Sequence, residues 1–219
     1  MSGITYEYME SYLRGLIRDS DGHLKDMEEY SKENHVPIIQ KEIGNYLRTM
    51  LGITKPKKIL ELGTAIGYSA ILMCDALNKD VNITTIERSD EMVKLANSNI
   101  EKYGYEDNIK VIHNECEEAL RELSQNEEGM YDLIFMDAGK GHYNHFLPYC
   151  LKLMKKDGII IADNVLFKGM VASDELVKRR KITIVKRMRT YLEMVSNDDD
   201  LQTTVIPMGD GIALTIRRY

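Results

Sequence analysis

The sequence predicts an α/β fold: a mostly parallel seven-stranded sheet, helices on both faces, and an antiparallel hairpin at the C-terminal end. Three observations predict it. After Pro56, short apolar runs alternate with stretches of helical periodicity. The runs are continuously apolar, as in strands covered on both faces. Four of them end in an acid, namely Glu61, Glu87, Asp137 and Asp163.

Residues 1–55 read as a helical N-terminal cap. Tyr8, Tyr12, Leu13 and Leu16 fall near helical spacing, and so do Ile39, Ile43, Tyr46, Leu47 and Met50. Val36-Pro37 breaks the two, because a residue before proline is pushed out of the helical region. The core, 56–219, opens with the strand KKILEL over 57–62 and a helix through Leu77. Strand 82–87, helix 91–103, strand 109–113 and helix 115–123 follow. Strand 131–137, YDLIFMD, leads to helix 145–154, which Lys155–Gly158 closes. Strand 158–163 comes next, and a long basic helix is expected over 173–195. Strands 203–206 and 211–217 make the hairpin around Met208-Gly209-Asp210-Gly211. No repeat or low-complexity linker interrupts the chain, so one domain over 1–219 is expected.

Composition narrows the function. The 219 residues carry a net charge of −6, which argues against a nucleic-acid coat and leaves room only for a local basic patch. Cys74, Cys116 and Cys150 form no C-x-x-C pair or framework, so zinc fingers and disulfide scaffolds are excluded and a reduced, cytoplasmic protein is expected. No apolar run approaches the roughly 18–20 residues of a membrane helix, and the start lacks the basic flank and apolar stretch of a signal peptide. The thirteen methionines read as core filler.

In a parallel α/β sheet the ligand lies at the carboxyl ends of the strands. Acids placed there can also cap the following helix, but four at successive strand ends favour a ligand site. The first of these loops reads Glu61-Leu62-Gly63-Thr64-Ala65-Ile66-Gly67-Tyr68-Ser69. The dinucleotide G-x-G-x-x-G is absent because residue 65 is alanine, and there is no G-x-x-x-x-G-K-[ST] phosphate loop. The E-x-G-x-x-x-G pattern that remains resembles that of class I S-adenosylmethionine-dependent methyltransferases. Glu87, ending the second strand, is placed to accept hydrogen bonds from ribose hydroxyls.

Neighbouring strands would bring Asp137, Asp163 and Asn164 together. Two carboxylates and an amide oxygen form a hard oxygen set suited to Mg²⁺, with Mn²⁺ or Ca²⁺ as substitutes. The bland alternative is that Asp163-Asn164 forms a turn. With D-A-x-K-x-x-Y at 137–143 and D-N-V-L at 163–166, nearly the whole chain resembles the cation-dependent O-methyltransferases related to the caffeoyl-CoA and catechol enzymes. Within that family it is most similar to the bacterial tRNA 5-hydroxyuridine methyltransferases.

The resemblance implies a Rossmann-like class I methyltransferase fold and a homodimer. It implies that Asp137, Asp163 and Asn164 hold the metal and that Lys140 is the base or an electrostatic helper. Glu61, Gly63 and Ser69 would meet the methionine end of S-adenosylmethionine, with Asp137 nearby. Glu87 would bind its ribose, Glu115 and Cys116 would flank its adenine, and Ile39 would close the cleft. The chain departs from many relatives at Gly139, where they carry an acid, at Glu115-Cys116, where they carry Asp-Ala, and at Phe167, where they carry tryptophan. The acceptor implied is the wobble 5-hydroxyuridine in a tRNA anticodon loop; small catechols or phenols are the alternative.

Seven Lys or Arg and no acid between Lys178 and Arg189 suit phosphate contacts, although a solvated helix face gives the same pattern. Tyr143, His142 or Phe167 are the rings available to stack on an unpaired base, or else they are packing. His142 and His145, three apart with no third ligand in sight, read as non-metal residues. A nicotinamide dehydrogenase is opposed by Ala65, and a non-catalytic RNA-binding module by the intact Asp137, Lys140, Asp163 and Asn164 set.

Overall fold

The computed structural model describes residues 4–218. Residues 1–3 and Tyr219, which belong to the expected span and to the reading of the chain's start, lie outside them. Three helices precede the sheet: α1 (Glu7–Gly15), α2 (Gly22–Asn34) and α3 (Lys41–Thr54). Besides the expected break at Val36-Pro37 there is a second one, over Asp19-Ser20-Asp21, residues that favour turns over helix interiors. Helix α1 buries none of its residues; its Tyr8 and Tyr12, and Leu16 just after it, are exposed. Arg14 ties it down, donating to Gln40 Oε1 at 2.9 Å and to both Glu42 carboxylate oxygens.

The core then alternates: β1 (Lys58–Leu62), α4 (Tyr68–Ala76), β2 (Asn82–Glu87), α5 (Asp90–Lys102), β3 (Ile109–His113), α6 (Cys116–Asn126), β4 (Tyr131–Met136), α7 (Tyr143–Leu153) and β5 (Met154–Asp163). Helix α8 (Ile182–Asn197) and the hairpin β6 (Leu201–Ile206) and β7 (Ile212–Arg217) complete it. The seven strands run in the order β3-β2-β1-β4-β5-β7-β6. β1 to β5 are mutually parallel, and β7 enters antiparallel against β5.

The period of two in a strand explains why these runs are apolar throughout. In β4, Leu133 and Phe135 join one core with α3 and α4, while Ile134 and Met136 join the other with α6, α7 and α8. Every one of these side chains is buried, at roughly 1.5–3 kcal/mol each relative to exposure. β1 and β4 are neighbours, so their following loops diverge to opposite faces and open a crevice at the carboxyl edge.

Two expected boundaries move. β5 begins at Met154 rather than Gly158, because Lys155 stays extended by pairing with Asp132 of β4 at 2.5 Å, across a register shift between Tyr131 and Leu133. The long helix begins at Ile182 rather than Ser173. Upstream lie two 3₁₀ turns, Asp174–Leu176 and Arg179–Lys181. The buried row Val185, Met188, Tyr191 and Val195 starts only inside α8, and no side chain caps an earlier start. Four of the seven basic residues, Lys178 to Lys181, therefore sit ahead of the helix. Among the described residues no helix is long and apolar enough to cross a membrane.

Candidate functional site

Gly63 turns the chain out of β1 with φ +99°, a conformation that costs L side chains dearly. A Cβ there would stand 2.7 Å from the Asp137 carbonyl oxygen, because the loops after β1 and β4 pass backbone to backbone. Gly67, at φ +83°, starts α4. Between them Ala65 is also left-handed, and its N–H donates to Glu87 Oε2 at 3.0 Å. The other Glu87 oxygen accepts from the Arg88 and Ser89 amides, each at 2.9 Å. The carboxylate at the end of β2 is thus fixed by backbone from two loops.

Glu61 is wholly buried. Its Oε2 accepts from Thr85 Oγ1 at 2.6 Å, and Thr85 in turn meets Thr64 Oγ1 at 2.6 Å. Its Oε1 has no protein partner among the described residues. Burial pushes the carboxyl up to about 7, with the nearby Ser69 and Thr85 hydroxyls pulling the other way.

These groups border a cavity of about 610 Å³. Ile39, Gly63, Ser69, Glu87, Asp137, Lys140, Asp163 and Asn164 all line it, so eight predicted site residues converge there. Glu61 lies behind its wall, bonded to Thr85. Glu115 and Cys116 do not line that cavity. They line an adjoining one of about 540 Å³, which shares Gly63, Glu87, Arg88 and Ala138 with the first. Burial, reinforced by Glu87 and Glu115, pushes the Cys116 thiol up to about 12, which keeps it protonated at neutral pH and disfavours a nucleophilic role. Arg88 reaches Glu115 at 3.6 Å across the rim.

At the other end stand the acids of β4 and β5. Asn164 is left-handed at φ +64°, which asparagine tolerates, and the turn aims its side chain back along the cleft. Its N–H donates to Asp163 Oδ1 at 2.6 Å and its side-chain amide to Asp137 Oδ1 at 3.3 Å. Lys140 donates to Asn164 Oδ1. Burial raises both carboxyls well above the ordinary range; Lys140 opposes it at both, while Glu61 adds to it at Asp137 and Asp137 adds to it at Asp163. Asp163, buried, and Asp137, half-buried, with one amide oxygen and one ammonium are a donor set that fits a hard divalent cation: oxygen ligands only, with an excess of negative charge to neutralise. Among the described residues no three His, Cys, Asp or Glu side chains gather as a metal cluster, which leaves this mixed carboxylate–amide set.

Three aromatic readings separate here. Tyr143 is buried, donates to the Met136 and Asp163 carbonyls, and is packing. His142 lies against Phe146 and His145 with ring centroids about 6 Å away. Phe167 is half-exposed, at φ +44°, and lines a third cavity beside Lys140. Sequence reasoning missed Thr64 and Thr85, which hold Glu61, and Asp210, a buried acid that accepts from the Lys168 amide. The signal for Asp210 was its place between two glycines in a hairpin turn; nothing in the sequence marked the threonine pair.

The O-methyltransferase family model matches residues 18–218. A catechol O-methyltransferase of Niastella koreensis is 27% identical over 99% of both chains. A caffeoyl-CoA O-methyltransferase of Populus kitakamiensis is 32% identical over 80% of this chain and 75% of its own. The structure of an O-methyltransferase from Bacillus cereus in complex with SAH superposes with a TM-score of 0.84, at 24% identity, over 96% of this chain and 97% of that one. With the glycine loop, Glu87 and the paired acids arranged as described, the chain belongs to the O-methyltransferase family of the caffeoyl-CoA and catechol type.

Proposed function

We propose that this chain transfers a methyl group from S-adenosylmethionine to the 5-hydroxyl of 5-hydroxyuridine at the tRNA wobble position, with a divalent cation, Mg²⁺ first, as cofactor. The observation that carries the reading is one cleft in which the glycine loop and Glu87 sit at one end and Asp137, Lys140, Asp163 and Asn164 at the other. The orphaned Oε1 of Glu61, just behind the cleft wall, fits the polar methionine end of a cofactor, and the turn at Gly63 puts no side chain at the cleft edge. Asp137, Asp163 and Asn164 would hold the cation, which supplies Lewis acidity toward a hydroxyl. Glu87, held by three backbone amides, accepts from ribose. Lys140 stands where negative charge develops on the acceptor oxygen and either stabilises it or takes its proton. Fixing both reactants in one cleft contributes by orientation. The same reading includes a homodimer, built on the exposed Tyr8 and Tyr12 of α1 and on Leu16 just after it.

Support for RNA as acceptor comes from the exposed basic segment 178–187, which borders the Lys140 end of the cleft. A second reading, methylation of small catechols, is favoured by the catechol and caffeoyl-CoA relatives. One assay separates them. Purified protein, labelled S-adenosylmethionine and Mg²⁺ are given tRNA carrying 5-hydroxyuridine or a catechol panel, with and without chelator. Chelator-sensitive 5-methoxyuridine by mass spectrometry supports the proposal. Turnover of catechols alone sinks the tRNA acceptor.

A further inference from the structure

A cavity of about 450 Å³ opens between the loop after β4 and the start of α8. Gly139, Lys140, Phe167, Lys181 and Arg187 are among its lining residues. Lys140 borders both this cavity and the larger one that holds the acid set, so the two meet at the proposed catalytic side chain. An acceptor extending beyond its reacting ring has the smaller cavity within reach.

Its walls are held in a preset shape. Phe167 and Lys168 are consecutive non-glycine residues at φ +44° and +57°. Such residues cost on the order of 1–3 kcal/mol each and persist where the surroundings over-determine them, often at ligand clamps. Here Asp210 does so: its carboxylate accepts from the Lys168 amide, and its carbonyl accepts from Leu166 N at 2.9 Å. Arg189 anchors the following loop, donating to the Val171 and Met170 carbonyls and pairing with Asp174 at 2.8 Å.

The charge is selective. Arg189 is the structural member of the basic run. Among the described residues no carboxylate pairs with Lys178, Arg179, Arg180, Lys181, Lys186 or Arg187. Of these only Lys181 and Arg187 line the cavity. Lys181 Nζ lies 5.9 Å from the centre of the Phe167 ring, and Arg187 gives one N–H to the Gly141 carbonyl at 3.1 Å. An aromatic face flanked by two cations without acid partners matches one nucleotide, with its base on the ring and its phosphate between the charges.

We propose that Phe167, Lys181 and Arg187 form a subsite for the nucleotide adjoining the acceptor nucleoside, making the enzyme specific for RNA over a free nucleoside. This rests on the RNA reading above. The subsite is tested by the ratio of kcat/KM for an anticodon stem-loop carrying 5-hydroxyuridine to that for free 5-hydroxyuridine. Lys181→Ala, at an exposed side chain, should lower that ratio about tenfold and reduce the slope of log KM against log salt by about one. Phe167→Leu should lower the ratio while leaving the salt slope in place. Lys186→Ala, on α8 and outside the cavity, should change the ratio far less. Equal effects of Lys181→Ala and Lys186→Ala, or a ratio that neither Lys181→Ala nor Phe167→Leu moves, would overturn the subsite while leaving the RNA reading intact. A wild-type enzyme inert toward the stem-loop would remove both.

Discussion

The side-chain amide of Asn164 donates to Asp137 Oδ1 across 3.3 Å, joining the ends of β5 and β4 at the floor of the cleft. Two strands that are neighbours only in the sheet thereby present their polar ends as one unit. Asp163→Ala removes a member of that unit without touching the glycine loop. Turnover that depends on added Mg²⁺ should be lost, while calorimetric binding of S-adenosylhomocysteine stays within about threefold. Full activity in Asp163→Ala would sink the metal assignment.

Glu61 gives a pH signature. Burial holds its carboxyl at about 7 in the folded chain, above the ordinary value of about 4.3. Between those values the native state keeps a proton that the unfolded chain releases, so stability falls as pH rises through the window and levels off above it. Glu61→Gln keeps an oxygen for Thr85 but cannot ionise. Urea denaturation at pH 5 and pH 8 should show the variant losing less stability than wild type, by roughly 2–4 kcal/mol. Parallel losses in the two proteins would mean that Glu61 does not titrate there.

Gly63→Ala should be costly twice over. The left-handed backbone disfavours any L side chain, and the new Cβ would stand 2.7 Å from the Asp137 carbonyl oxygen. The expected loss is on the order of 1–3 kcal/mol of stability, together with weakened S-adenosylhomocysteine binding, read by thermal melts and titration. Unchanged melting would show that the two loops can separate freely.

Asp210→Ala should release the Phe167–Lys168 turn, because the Lys168 amide loses its acceptor. The expected kinetic result is a raised KM for the methyl acceptor, with the dissociation constant of S-adenosylhomocysteine nearly unchanged. A comparable loss in both would place Asp210 in general stability instead.

Much of this was legible because the strands are marked twice, by apolar runs and by terminal acids. The runs in 58–62, 82–87 and 131–136 lie where the periodicity placed them, and the acids at 87, 137 and 163 line one cavity with Glu61 behind its wall. The start of α8 was not legible, since the basic run fits the polar face of a helix as well as it fits 3₁₀ turns. What decides it is long-range: Arg189 reaching back to Val171 and Asp174. The start of β5 likewise depends on Lys155 meeting Asp132, a pairing invisible along the chain. The threonine pair behind Glu61 depends on the register of β1 against β2, Glu61 beside Thr85. Single residues set the chemistry at the rim, while partners distant in sequence set how tightly it is held.

The central seam of β1 against β4 divides the chain as well as the sheet. The glycine loop, Glu87, Glu115 and Cys116 all precede residue 117, whereas Asp137, Lys140, Asp163, Asn164, Phe167, Lys181, Arg187 and Asp210 all follow residue 136. The two sets touch mainly along Ile59–Leu62 and Leu133–Met136. Side chains of the second half can therefore be substituted while the glycine loop and Glu87 keep their places, so the two ends of the cleft are separable in mutagenesis.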